Sequence, residues 1–162
     1  MNPPRPVRSN RDRPVACKSS NWAIAQLPGI TAQDEANLVG CGIHTTFQLL
    51  QKAQTPDQRQ TLATEMQVHI QHVNKWFALA NLARIPAVGC QYCGLILHAG
   101  ISSPIQLSQT PVARLHSQIM RLQVATLQRQ DLCPGVGEVS QWIEQARQLA
   151  TAAARSKAPS AP

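Results

Sequence analysis

The residues of this chain best suited to chemistry are three short turns and one cysteine pair. Cys133-Pro134-Gly135-Val136-Gly137 sets a proline and two glycines among hydrophobic residues, and Leu27-Pro28-Gly29-Ile30-Thr31 and Ile85-Pro86-Ala87-Val88-Gly89 are degraded versions of it. Small residues let the backbone turn tightly with successive amides pointing outward at the positive end of the next helix. A phosphate oxygen can accept from such amides. Thr31 stands where the first turn's second glycine belongs, and Ala87 replaces the first glycine of the second turn. Basic neighbours strengthen such contacts. Arg84 and Arg129 are the candidates, whereas Asp131 and Glu138 flank the complete turn with the wrong sign. The candidate phosphate-contacting residues are therefore Arg84, Val88, Gly89, Arg129, Gly135, Val136 and Gly137. The plainer alternative is that these turns only connect packed helices.

Cys90-x-x-Cys93 is half of a zinc site, and zinc takes four ligands, usually as two such pairs. Small buried cysteines are the simpler reading, and no metal or other cofactor is expected. His69 and His72 share a helix face without an HExxH pattern or a carboxylate partner. No paired carboxylates, no nucleophile with a base and no phosphate loop occur at workable spacing. No catalytic residue is assigned, and the expectation is a protein that is not an enzyme.

The elements that must position these turns come in two copies. Leu27 to Leu49 aligns without a gap on Ile85 to Leu107: Leu38 meets Ile96, Gly42 meets Gly100 and Gln48 meets Gln106. Further along, Thr55-Pro56 is echoed by Thr110-Pro111, and Val73-x-x-Trp76-Phe77 by Val139-x-x-Trp142-Ile143. A period of about sixty residues is too long for a solenoid repeat and suits a duplicated helical unit. The cysteine pair falls outside the duplication, because Ala32 and Glu35 hold the equivalent positions.

Start and stop signals divide each copy into helices. Ser19, Ser20 or Asn21 can cap a short helix carrying Trp22, Ile24 and Leu27, ended by Pro28-Gly29. Thr31-x-x-Asp34 opens a second helix, and Gly42 supplies its left-handed stop. Thr55-Pro56-Asp57-Gln58 is the clearest start, with a capping hydroxyl, a proline at the first helical position and an acid at the positive helix end. Ile70, Val73, Trp76, Phe77 and Ala80 then follow the spacing of a buried face, as do Val139, Trp142, Ile143, Ala146 and Leu149. No period-two run argues for a strand. Trp76 and Trp142 are expected as core anchors, while Trp22 with Tyr92 offers too few aromatics for a base-stacking platform.

Charge is carried by the ends. The formal net charge is +7, yet from Ser19 to Ala154 eight basic residues face seven acidic ones. Arg5, Arg8, Arg11 and Arg13 make a basic arm whose prolines oppose a targeting helix, and the arm is read as a disordered source of non-specific attraction for nucleic acid. Five cysteines without a signal peptide point to a reducing, cytoplasmic compartment. The chain has no apolar run of the roughly eighteen residues that a membrane span needs. The nineteen glutamines are dispersed and make low-charge helix faces.

The duplicated Cys41-Gly42-Ile43-His44-Thr45 and Ala99-Gly100-Ile101-Ser102-Ser103, the Trp76 helix running into Arg84-Ile85-Pro86, and Val139-x-x-Trp142-Ile143-x-Gln145-Ala146 carry a family resemblance. The chain resembles the bacterial, often cyanobacterial, tandem helix-hairpin-helix-like family described as a domain of unknown function, over Ile24 to Leu149. The resemblance implies an all-helical tandem fold like that of nucleic-acid-binding helix-hairpin-helix domains and brings no catalytic residues. The departures are Thr31 and Ala87.

The expected architecture is all-α: a disordered basic arm over 1–20, helical units over 21–84 and 85–154, and a disordered tail over 155–162. Two functions stand. One is a non-enzymatic module holding the DNA or RNA backbone through hairpin amides and the arm. The other is a protein-interaction or assembly factor using its neutral, glutamine-rich faces.

Overall fold

A computed structural model describes residues 18–127 and 133–157. The arm arginines Arg5, Arg8, Arg11 and Arg13, the loop residue Arg129 and the tail from 158 lie outside the described residues. Among those described, the chain is all-helical, with eight α-helices, one short 3-10 turn at Ile24–Gln26 and no strand. Two sets of four helices follow one another. The first is α1 (Ala32–Gly40), α2 (Thr46–Lys52), α3 (Pro56–Met66) and α4 (Ile70–Ala83); the second is α5 (Gly89–His98), α6 (Pro104–Ser108), α7 (Val112–Leu127) and α8 (Val136–Lys157).

Local chemistry explains the ends. Thr31, Thr45 and Thr55 each accept from an amide three residues on, and Asp34, Gln48 and Gln58 reciprocate toward the cap backbone. Two donors that would otherwise lack partners are thereby bonded at each helix start. Ser103 repeats the device with Gln106, whose Oε1 accepts from the Ser102 amide. The stops also match: the Gly42 amide bonds the Val39 carbonyl at 2.9 Å and the Ile43 amide the Leu38 carbonyl at 2.9 Å. In the second set, Gly100 bonds Leu97 at 3.0 Å and Ile101 bonds Ile96 at 3.2 Å. Both glycines have positive φ, and both following isoleucines are buried.

The core forms along the two tryptophan helices. In α4, Val73, Trp76, Leu79, Ala80 and Ala83 are buried, and α4 packs on α2, α3 and α5. In α8, Val139, Trp142, Ile143, Ala146 and Leu149 are buried, and α8 packs on α6 and α7. His72 lies on Trp76 with ring centroids 6.1 Å apart, and Tyr92 on Trp142 at 4.9 Å. The expected core anchors are thus where periodicity puts them.

The segment before α1 departs from expectation. Instead of a helix capped at Ser19 to Asn21, only the 3-10 turn at Ile24–Gln26 forms, and extended Ala23 before it makes an isolated antiparallel bridge with Thr45. Long-range bonds hold this strap. The Ser20 amide donates to the Arg84 carbonyl at 2.8 Å, the Trp22 amide to Thr46 Oγ1 at 3.1 Å, and Trp22 Nε1 to the Ala83 carbonyl at 2.8 Å. Their partners lie far along the chain, so local propensity could not reveal them. The far boundary shifts too. A tail expected from Arg155 begins inside α8, which runs to Lys157, because its alanines are the best helix formers.

Candidate nucleic-acid interface

The second turn, Ile85 to Gly89, was expected to offer open amides, and its geometry corrects that. The amides of Val88 and Gly89 both donate to the Ile85 carbonyl, at 3.0 and 2.9 Å. The Ala87 amide donates to Gln145 Oε1 of α8 at 2.8 Å. The amides of this turn are therefore already bonded, two within the turn and one to α8. Val88 and Gly89 are buried as well. Gly89 is a glycine for structural reasons: its φ is +54°, and a Cβ there would lie 2.9 Å from Cζ2 of Trp22. The nearby cation is also engaged. Arg84 is half-buried, its Nη1 donates to Asn81 Oδ1 at 2.9 Å, and burial holds its pKa below the ordinary arginine value.

The third turn is different. Gly135, Val136 and Gly137 are all exposed at the start of α8. The first intrahelical bond runs from the Val139 amide to the Gly135 carbonyl at 3.1 Å, so the amides of Val136 and Gly137 have no acceptor within the helix. Gly137 has no positive φ, and among the described residues nothing lies within 4 Å of where its Cβ would be. Since glycine costs a helix stability relative to alanine, the fold itself gives no reason for it. Glu138 works against an anion here. Its Oε2 accepts from the Gly135 amide at 3.1 Å and so places a carboxylate at the helix start.

The first turn has a cation that no spacing argument found. Lys75, on α4, brings its Nζ to 3.7 Å from the position a Cβ would take on exposed Gly29. The Thr31 amide of this turn is bonded to Asp34 Oδ2 at 3.3 Å, within the cap of α1. Charge is also less even than the overall count implied. From Met66 to Gln130 the sequence contains no aspartate or glutamate. Among the described residues of that stretch, Lys75, Arg114 and Arg121 are exposed cations.

The cysteine pair lies at the start of α5. Cys93 is buried and its thiol donates to the Cys90 carbonyl at 3.7 Å. Burial, followed by the charge of Cys90, pushes its pKa up to about 12, and burial raises that of Cys90 too. Such thiols stay protonated and are poor nucleophiles. Among the described residues no group of three or more histidine, cysteine or acidic side chains could hold a metal ion. No described helix is long and apolar enough to cross a membrane. Residues 28–149 match a family described as a domain of unknown function, DUF4332. No curated protein and no solved structure matches the chain.

Proposed function

The chain belongs to the DUF4332 family, and from that premise we propose that it is a non-enzymatic binding module of tandem helix-hairpin-helix type that holds the phosphate backbone of DNA or RNA. The two units, 21–84 and 85–154, derive from one duplicated helical unit. The matched stops at Gly42 and Gly100 and the matched caps at Thr45 and Ser103 support this. The phosphate sites are the turns at Gly135 to Gly137 and, with Lys75, at Gly29. The turn at Val88 and Gly89 serves as a corner of the fold. Arg5, Arg8, Arg11 and Arg13 add attraction without sequence preference.

One observation carries the reading. Gly137 sits exposed in the first turn of α8 with open space at its missing side chain. A glycine there leaves the helix start free for the close approach of an external group such as a phosphate. The test is binding of the full chain to a 20-base-pair duplex and to the matching single strand across salt. Gly137→Glu and Lys75→Gln should each weaken binding, with Lys75→Gln lowering the salt slope by about 0.9 for the lost phosphate contact. If binding survives both but disappears when the four arm arginines become glutamine, the hairpins are not the site.

A second reading has its own observation. The Glu138 carboxylate on the Gly135 amide, beside Val136 at 56% exposed, suits a neutral protein surface better than a phosphate. That reading makes the module an assembly factor. It requires that Gly137→Glu leave nucleic-acid binding unchanged.

A further inference from the structure

Of the three tryptophans, two are buried with a ring partner. Trp76 is 2% exposed beneath His72, and Trp142 is 1% exposed against Tyr92. Trp22 is only half-buried, and among the described residues no aromatic ring or cation stacks on it. Its indole N–H is bonded inward to the Ala83 carbonyl at 2.8 Å, and the Cζ2 edge rests against Gly89. The ring is thereby fixed in orientation. It forms one wall of an open groove of about 440 Å3, together with Pro86, Ala87 and the glutamines Gln26 and Gln91. Both glutamines are exposed. Among the described residues that line it there is no ionisable group beyond the Cys90 thiol, whose pKa burial raises.

We propose that this groove receives one unpaired nucleobase of a bound single strand. The inference rests on the nucleic-acid reading above and adds a strand type to it. The aromatics are too few for a platform of successive bases, and Tyr92 is taken by Trp142, but one rigid indole still offers a π surface on which a single base can stack. Each glutamine amide presents a donor and an acceptor, the complement of a base edge. The lack of formal charge disfavours an acidic or basic peptide side chain and suits a flat, neutral heterocycle. A base inside a duplex cannot reach the ring, so the groove selects unpaired nucleic acid.

The three tryptophans also supply the readout, because only Trp22 is open to a quencher. Titrate the full chain with a twelve-nucleotide single-stranded DNA, and with the same sequence as duplex, following tryptophan emission. The single strand should quench emission and bind more tightly than the duplex. Trp22→Leu should remove the quenching and lower single-strand affinity by roughly five- to a hundredfold, the usual range for one base–aromatic stack. Because Trp22 also holds the Ala83 carbonyl, a second variant guards against unfolding. Gln26→Ala with Gln91→Ala alters only exposed side chains and should reduce single-strand affinity severalfold at unchanged melting temperature.

If single-stranded DNA binds, with sensitivity to Gly137→Glu, but leaves emission unchanged and ignores the glutamine pair, the groove is overturned and the hairpin reading stands. Quenching that depends on Gln26 and Gln91 but not on Gly137 supports the groove and removes the hairpin. Absence of all binding at low salt overturns both.

Discussion

Gly89 separates a glycine kept for the fold from one kept for a ligand. Alanine at this position must hold φ near +54°, a left-handed conformation that costs an L-residue about 1–2 kcal/mol. Its methyl group would also meet Trp22 Cζ2 at 2.9 Å, and forcing an aromatic ring from a packed position costs about 1–3 kcal/mol. Gly89→Ala should therefore destabilise the protein by about 2–5 kcal/mol, and by only the conformational share, about 1–2 kcal/mol, once Trp22 is alanine. Urea unfolding of the four proteins of this cycle, followed by far-ultraviolet circular dichroism, measures both numbers. The expected coupling is about 1–3 kcal/mol. Equal losses in the two backgrounds would show that the indole does not press on Gly89 and that its glycine is not explained by this packing.

Three further outcomes follow from particular contacts. Gln145→Ala removes the acceptor of the Ala87 amide and should cost about 1–2 kcal/mol in urea unfolding; a loss near zero would mean that the second turn is not tied to α8. Cys93 has a pKa raised to about 12 from an ordinary 9.0, so its burial stabilises the fold fully below pH 9. Above pH 9 the unfolded chain alone releases this proton, and stability should fall toward pH 12 by up to about 1.4 kcal/mol per pH unit. Melting temperatures between pH 7 and 10.5 check this, and Cys93→Ala should flatten the decline; an equal decline in the variant would assign it elsewhere. Ser103→Ala should cost about 1 kcal/mol, because the Gln106 amide loses its cap. A neutral result would show that α6 is held by packing alone.

What was legible in the sequence was what local chemistry decides. Thr55-Pro56-Asp57-Gln58 opens α3 because the hydroxyl, the proline and the glutamine all act within four residues. Gly42 and Gly100 stop helices because the left-handed conformation is a property of one residue. Periodicity placed Trp76 and Trp142 inward for the same reason, since helix geometry alone decides which positions share a face. The strap was not legible: Trp22 is held by Thr46 and Ala83, and nothing near it in the chain shows that. The turns divide the same way. Their proline and glycine pattern located them, but whether their amides were open depended on distant groups. Gln145 takes the Ala87 amide, and Trp22 covers Gly89. Arg84 is engaged by Asn81, one turn earlier, whose amide oxygen competes with a phosphate for the guanidinium. Lys75 reaches the first turn only through the packing of α4, so the cation nearest to Gly29 was absent from any motif.

The most direct measurement takes one variant, Gly137→Ala, and reads its stability and its nucleic-acid affinity together. Alanine is the better helix former by up to about 1 kcal/mol, and among the described residues nothing obstructs its methyl group. The variant should melt at or above the parent temperature yet bind single-stranded DNA about tenfold more weakly, about 1.4 kcal/mol, because alanine keeps the amide but its methyl group holds a phosphate away from it. A stabilised variant with undiminished affinity would contradict the claim that an external phosphate approaches this turn.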